Sequence, residues 1–304
     1  MKLCFFGSPL VSARILSDLI DFGVNFEIGI TMPPKRRNRG SALVPTEVEK
    51  VLSANSIKVS YDPKSVIGVA DFGLVVAYGR LIKNDVLDAV DLVNVHFSLL
   101  PRWRGAAPVE RAILSGDSVT GVTLMKVVPE LDAGPTYDRF ETTILPFESS
   151  ASLTLRLGEL ASQFLISKLN NGSKDNKVFD ISKFKSPIPQ TGEITYADKI
   201  DKSLRRVNFL EPVTSIERIV RIGGAWCMLG EKRLQIEDAQ AVEDTSNDFE
   251  IGQVIVLESE VFVKGIDGLL KINLVKPEGK NTMTAKAFVA GFGGKNAKGL
   301  PILK

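Results

Sequence analysis

The chain has 304 residues, 44% of them hydrophobic and 24% charged, with a formal net charge of +2. That length suits one large domain or two ordinary ones, and the balance is that of a globular protein, not a disordered or fibrous one. Two distant cysteines and a single histidine argue against a disulfide framework and against a structural zinc site, so no metal is expected, and no apolar run is long enough to span a membrane.

Read in chain order, "KLCFFGS" (2–8) is a buried strand and not the start of a signal peptide, so a cytoplasmic protein with reduced thiols is expected. "LVSARILSDLIDFG" (10–23) has helical apolar spacing and Gly23 at its C-terminal end. "FEIGITM" (26–32) is a strand, "PTEVEKVLSAN" (45–55) a helix with Pro45 at its start, and "IKVSY" (57–61) a short strand. Strands at 72–79 and 91–97 flank a helix at 83–90. A helix at 109–116, strands at 120–128 and 135–144, and a long amphipathic helix at 149–172 follow. Strands alternating with helices predict an α/β fold with a doubly wound, mostly parallel Rossmann-like sheet.

After about residue 175 the pattern changes. Residues 184–202, with two prolines and no strong periodicity, read as a linker. A helix at 215–223 leads to short strands at 232–242, 252–259, 261–266 and 269–275, separated by Gly-rich turns, which predict a small barrel or sandwich. The expected domains are therefore 1–183, a linker over 184–202, and 203–304.

Charge is unevenly placed. From Phe262 to Lys304 there are eight lysines against two acids, and from Glu231 to Glu260 nine acids against two bases. "PPKRRNRG" (33–40) adds four bases and no acid. Such patches suit a polyanionic partner, although a solvated surface is the commoner meaning of a charge run.

The lone histidine, His96, lies in "NVHFSLLPRWRGAAP" (94–108). In a strand, Asn94 and His96 share a face, at a carboxyl end where doubly wound sheets bind ligands. An amide can donate to a developing oxyanion, and an imidazole can transfer a proton near neutral pH. The bland alternative is a satisfied structural histidine. Asp132, in "ELDAG", is either a third chemical group or an Asx turn ahead of Gly134. Taken alone, Arg102 and Arg104 read as surface charges; only beside a nucleic-acid substrate would they meet phosphates, and there Trp103 packs the loop down in preference to stacking on a base.

"NVHFSLLPRWRGAAP" with downstream "TGVTLMKVVPELDAG" resembles the 10-formyltetrahydrofolate-dependent formyltransferases. "FFGSP", "KRRNRG", "VVAYGRLI" and "ITYADKI" extend the likeness along the chain. The form "SLLPRWRGAAP" is similar to members that formylate methionine carried on initiator tRNA, for translation initiation. The resemblance implies 10-formyltetrahydrofolate as co-substrate, initiator methionyl-tRNA as partner, and Asn94, His96 and Asp132 as the catalytic groups. It implies a pterin site at Val76, Ala77, Tyr78, Gly79, Ser98, Leu99, Leu100 and Pro101.

The acceptor substrate would meet Gly7, Ser8, Pro9 and Val11, with Lys35, Arg36, Arg37 and Arg39 of the basic loop at the acceptor stem and Arg102 and Arg104 beside it. The second domain becomes an OB-like, tRNA-binding barrel, and a monomer is expected. Three departures stand out. Val11 occupies the place of a usual Phe, Phe97 that of a usual Gly or Ala, and Arg80 that of a usual apolar residue. Formyltransferases of glycinamide ribonucleotide or amino sugars share the three catalytic groups but lack the basic loop and second domain. A catalytically silent tRNA-binding protein is the rival from another class. A dehydrogenase reading fails because "FFGSPLVSA" has no G-x-G-x-x-G.

Overall fold

The computed structural model describes residues 1–36, 42–169, 184–243, 249–291 and 300–304. Arg37 and Arg39 of the basic loop, residues 170–172 of the expected long helix, and Lys295 and Lys298 lie outside them. The chain divides into two compact units: residues 1–109, 119–143 and 153–198 in the first, and 110–118, 144–152 and 199–304 in the second.

The first unit is built on seven strands: β1 (Leu3–Gly7), β2 (Ile28–Ile30), β3 (Lys58–Ser60), β4 (Phe72–Val76), β5 (Asp91–His96), β6 (Val119–Lys126) and β7 (Thr136–Thr143). Their spatial order is β3-β2-β1-β4-β5-β6-β7. The first five run parallel, β6 is antiparallel to β5, and β7 is antiparallel to β6. This is the doubly wound order, and it reverses between β1 and β4.

β1 forms because "LCFFG" is apolar on both faces, as a central parallel strand must be. Phe5 and Phe6 are fully buried on opposite faces. Cys4 and Phe6 join Ile28, Ile30, Val75, Tyr78 and Leu92 in one layer of core. Helix α1 (Leu10–Asp21) follows, burying Val11, Ile15, Leu16 and Leu19. Its last turn closes as a Schellman motif: Gly23 N–H donates to Ile20 and Val24 N–H to Leu19, with Gly23 at φ 98°. Ser12 Oγ of α1 donates to the Val76 carbonyl at 2.6 Å, tying the helix to β4 at the point of reversal.

Two expected helices differ in their ends. α2 is Glu47–Ala54, and its N-cap is Thr46, whose hydroxyl accepts from Glu49 N–H at 3.0 Å. Pro45 therefore precedes the cap. The helix expected over 83–90 is the single turn α3 (Asn84–Leu87), because Ala89 and Val90 both bond back to the Val86 carbonyl and close it. Helix α4 (Pro108–Ser115) and helix α5 (Ser150–Ser167) lie close to expectation. Residues 184–198 belong to the first unit, and Tyr196–Ala197 pair in parallel with Arg104–Gly105.

The second unit is an antiparallel sheet of β8 (Ala225–Leu229), β9 (Lys232–Glu243), β10 (Val254–Leu257), β11 (Glu260–Lys264) and β12 (Gly268–Pro277). Its order is β8-β9-β12-β11-β10, with Met283–Thr284 also pairing to β12. β8 went unread in the sequence. Residues 301–304 join the two outer strands: Lys304 N–H donates to the Met228 carbonyl at 2.9 Å, and Val254 N–H to Pro301 at 3.1 Å. The sheet is thereby closed, which makes it a barrel and not a sandwich. Helix α6 (Val213–Arg221) and helix α7 (Ala285–Ala290) plug it with Ile216, Val220, Ala285 and Val289.

One cysteine sits in each core, Cys4 beneath the sheet and Cys227 in the barrel, both free. Burial pushes each thiol up from 9.0 to about 12. Neither is expected to react with a thiol reagent in the native protein at pH 8, and both should react after denaturation. Because the folded values are raised, this contribution to stability is intact below pH 9 and is lost as pH rises from 9 towards about 12. Thiol titration and alkaline melting curves check both statements.

Candidate active site

β5 ends at His96, beside the end of β4 and one strand from β1. Asn94 and His96 lie on one face of β5, paired across to Met125 and Thr123 of β6. The His96 ring is buried, 5% exposed, and its Nε2 lies 2.8 Å from the Trp103 carbonyl. A carbonyl only accepts, so Nε2 carries the hydrogen and Nδ1 is the position left for chemistry. Nδ1 faces Asp132 Oδ2 at 3.7 Å, too far for a hydrogen bond but close enough for a strong charge interaction once the ring is protonated.

Asp132 is reached by a long detour, after β6, yet its carboxylate points back at β5. Oδ1 accepts from Asn94 Nδ2 at 3.4 Å and Oδ2 from Gly105 N–H at 2.8 Å. It is not an Asx turn. Among the described residues the second N–H of the Asn94 amide has no partner. An amide donor, a ring nitrogen and a carboxylate thus converge where the strand ends.

The backbone around them is held in uncommon conformations. Ala77, Trp103 and Asp132 have φ of 44°, 65° and 49°. Left-handed backbone in non-glycine residues is costly and persists where surrounding bonds over-determine it. Those bonds are present. Ser98 Oγ donates to the Arg102 carbonyl at 2.6 Å, Trp103 N–H to Thr195 Oγ1 at 2.9 Å, and Arg104 N–H to the Thr195 carbonyl at 2.9 Å. Gly105 has φ 122°, and a Cβ there would sit 2.9 Å from the Ala197 carbonyl. Only glycine lets this loop lie on residues 195–197 and still aim its N–H at Asp132. Gly134 is constrained likewise, because a Cβ would fall 1.9 Å from the Lys126 carbonyl.

The other expected site residues are placed as follows. Gly7 is buried, and Ser8 is half-buried with its hydroxyl accepting from Met32 N–H at 3.2 Å and from Thr31 Oγ1 at 3.3 Å. Pro9 is exposed as the N-cap of α1. Val11 is buried against α5, its Cγ2 2.6 Å from where a Cβ on Gly158 would lie. Its side chain packs helix on helix and offers little surface to a ligand.

In the 76–79 loop, Val76 and Tyr78 are buried while Ala77 and Gly79 are exposed. Tyr78 packs edge-on to Phe6 at 5.3 Å, and burial raises its hydroxyl pKa, with Arg80 opposing. Ser98, Leu100 and Pro101 are buried and Leu99 half-buried, so this stretch presents mainly its framework. Phe97 is buried packing. Lys35 and Arg36 are exposed, in a short antiparallel pair with Leu43–Val44. The Arg102 guanidinium lies over the Trp103 ring at 4.4 Å.

Arg104 turns inward: its Nε and Nη2 donate to Gln190 Oε1 at 2.9 and 2.7 Å. Gln190, Thr195 and Gly105 went unread as site residues, and no local periodicity marks them. In the second unit, the guanidinium groups of Arg206 and Arg233 lie 5.6 and 4.2 Å from the Trp226 ring, a basic aromatic patch also missed. Of the lysines near the C-terminus, Lys264 is buried and Lys271 and Lys286 flank Glu260 at 3.5 and 3.1 Å, which lowers the Glu260 pKa. Lys276, Lys280 and Lys304 are exposed.

The fold and site together are those of an α/β protein with a doubly wound sheet and an amide, an imidazole and a carboxylate converging at its carboxyl edge. The chain belongs to the formyl transferase family: residues 1–169 match the formyl transferase model and residues 199–293 that of the formyl transferase C-terminal domain. It is 35% identical to the methionyl-tRNA formyltransferase of Methylococcus capsulatus, over 95% of this chain and 96% of that one. It is 33% identical to that of a Jannaschia species, over 96% and 97%. Among solved structures, its fold is similar to WlaRD, a sugar 3N-formyl transferase, with TM-score 0.61 and 19% identity over 92% of this chain and 99% of that one. It is also similar to HypX of Aquifex aeolicus in complex with tetrahydrofolic acid, with TM-score 0.59 and 17% identity over 95% of this chain. The chain spans about half the length of HypX, 47%.

Gly105→Ala is expected to destabilise the protein by about 1–3 kcal/mol, the usual cost of a strained backbone position. It should also lower activity, since the N–H that holds Asp132 is displaced. Thermal melting and turnover measured on one preparation check the pair.

Proposed function

We propose that the protein transfers a formyl group from 10-formyltetrahydrofolate to the amino group of methionyl-tRNA, the initiator species, for translation initiation. The observation that carries this is the convergence of Asn94, His96 and Asp132 at the end of β5, in a chain whose full-length relatives bear that activity's name.

The folate is a substrate, and the residues present fit it. Around Gly79 a Cβ would meet nothing within 4 Å, and Ala77 is exposed, so the 77–79 backbone is open to a flat ring. Backbone donors and acceptors there would hold the pterin edge. Methionine's amine is itself the nucleophile, so no covalent enzyme intermediate is needed. Asn94 donates its second N–H to the formyl oxygen as charge develops on it. His96 has Nε2 committed to Trp103, so it assists that oxygen only through Nδ1–H, as imidazolium, and Asp132 balances that charge. Asp132 also helps move the proton from the attacking amine towards the folate nitrogen, directly or through one water.

The tRNA side rests on charge. Lys35, Arg36, Arg37 and Arg39 would take the acceptor stem, with Arg102 beside the site. In the second unit, Arg206 and Arg233 beside Trp226 and the exposed Lys276, Lys280 and Lys304 suit a phosphate backbone. Arg104 is assigned to support within the site, because its fork is already bonded to Gln190. We take the first unit as catalytic and the second as the nucleic-acid unit. A monomer is the working state we assign to the protein. An aminoacyl-tRNA substrate places the work in the cytoplasm. Among the described residues no helix is long and apolar enough to cross a membrane.

Purified protein should formylate methionyl-tRNA with 10-formyltetrahydrofolate, and free methionine poorly; equal efficiency on free methionine would overturn the tRNA reading. Asn94→Ala, His96→Ala and Asp132→Ala should each lower kcat by about 10²–10³. Replacing Lys35, Arg36, Arg37 and Arg39 together with Ala should raise KM for tRNA and flatten its salt dependence, leaving kcat near wild type. An unchanged KM would remove the loop from the tRNA site.

A further inference from the structure

Residues 170–198 fall between the two family matches, which end at 169 and resume at 199. Yet the part from 188 onward touches both loops that hold the catalytic groups, 101–107 and 132–136. Ile188 exchanges backbone bonds with Thr136, Thr195 holds Trp103 and Arg104, and the Ala197 carbonyl accepts from Ala106 and Ala107. At its centre is Gln190. Its Nε2 donates to the Asp132 carbonyl and to the Gly134 carbonyl, both at 2.8 Å, and its Oε1 accepts from Arg104 Nε and Nη2.

A glutamine amide has two N–H donors and one carbonyl with two lone pairs. All four are used. The orientation is therefore unique: a flipped amide would face two carbonyls with its oxygen and a guanidinium with its N–H groups. The two sides it joins are the two loops that define the site. One carries Asp132, held at φ 49°. The other carries Trp103, whose carbonyl orients His96, and Gly105, whose N–H holds the Asp132 carboxylate.

Building on the formyl-transfer reading above, we propose that Gln190 is a positioning residue for the reaction: by clamping the 132–134 backbone to Arg104 it sets the Asp132 carboxylate against His96 Nδ1 and Asn94. With its amide saturated by protein partners, Gln190 acts on turnover and not on substrate binding.

The test is formylation kinetics with 10-formyltetrahydrofolate and methionyl-tRNA on the full chain. In Gln190→Ala, kcat should fall by about 10²-fold, the cost of misplacing a reacting group by roughly an ångström, while KM for both substrates stays within a few-fold. In an Asp132→Asn background the same substitution should cost less than about threefold, because both changes act through one carboxylate. Gln190→Glu keeps the acceptor for Arg104 but sets oxygen against the Asp132 and Gly134 carbonyls. It should lose kcat as Ala does, and turnover of both variants measured well below their melting midpoints separates misplacement of Asp132 from unfolding. Either variant at wild-type kcat, or losses that add fully to those of Asp132→Asn, would overturn the inference with formyl transfer itself intact. A wild-type chain that transfers no formyl group overturns the underlying reading instead.

Discussion

The hydrogen bond from His96 Nε2 to the Trp103 carbonyl, 2.8 Å long, is the constraint on which the site depends. It settles which nitrogen of the only histidine is available and which way the ring faces. It also asks for a carbonyl in a place that relaxed backbone would not supply. Trp103 is therefore held at φ 65°, and the bonds that hold it there come from Ser98 and Thr195. The sheet delivers the imidazole; the loops decide what it can do.

That division of labour follows from the physics of the two parts. β5 is paired on both sides, by β4 and β6, so the Asn94 and His96 backbone positions are set by ladder bonds that no ligand needs to induce. The loops carrying Asp132, Trp103 and Gly105 lie outside that sheet, and apart from the short Arg104–Gly105 pairing with Tyr196–Ala197 they are fixed by side-chain-to-backbone bonds that cross long sequence separations: 27 residues from Asp132 to Gly105, 58 from Gln190 to Asp132, and 92 from Thr195 to Trp103. A group that must be placed to within a fraction of an ångström is better served by such a saturated network than by packing alone.

The same reasoning separates charges that face outward from those that serve the framework. Arg104 reads in the sequence as one of a pair of phosphate-seeking arginines, yet its fork is bound to a glutamine. Lys264 reads as part of a basic segment and is buried, while Lys271 and Lys286 share Glu260. Among the described residues of these basic segments, Lys35 and Arg36 in the first unit and Lys276, Lys280, Lys304 and the arginines around Trp226 in the second face outward.

Much was determined by sequence alone. The apolar runs of β1 and β4, the helical spacing of α1 and the Gly23 terminus are local patterns, and each has one conformation that buries its apolar groups. The two-residue period of β5 likewise put Asn94 and His96 on one face, and "NVHFSLLPRWRGAAP" with "ELDAG" carried the family. Only the tertiary structure decided the rest. Asp132 meets Asn94 across 38 residues, Gln190 closes its four bonds, Val11 turns into helix packing, and residues 301–304 close a barrel whose first strand had not been read. These outcomes depend on which distant groups arrive together. A glutamine, an aspartate or a short strand looks the same in sequence whether it ends in solvent or in a saturated network.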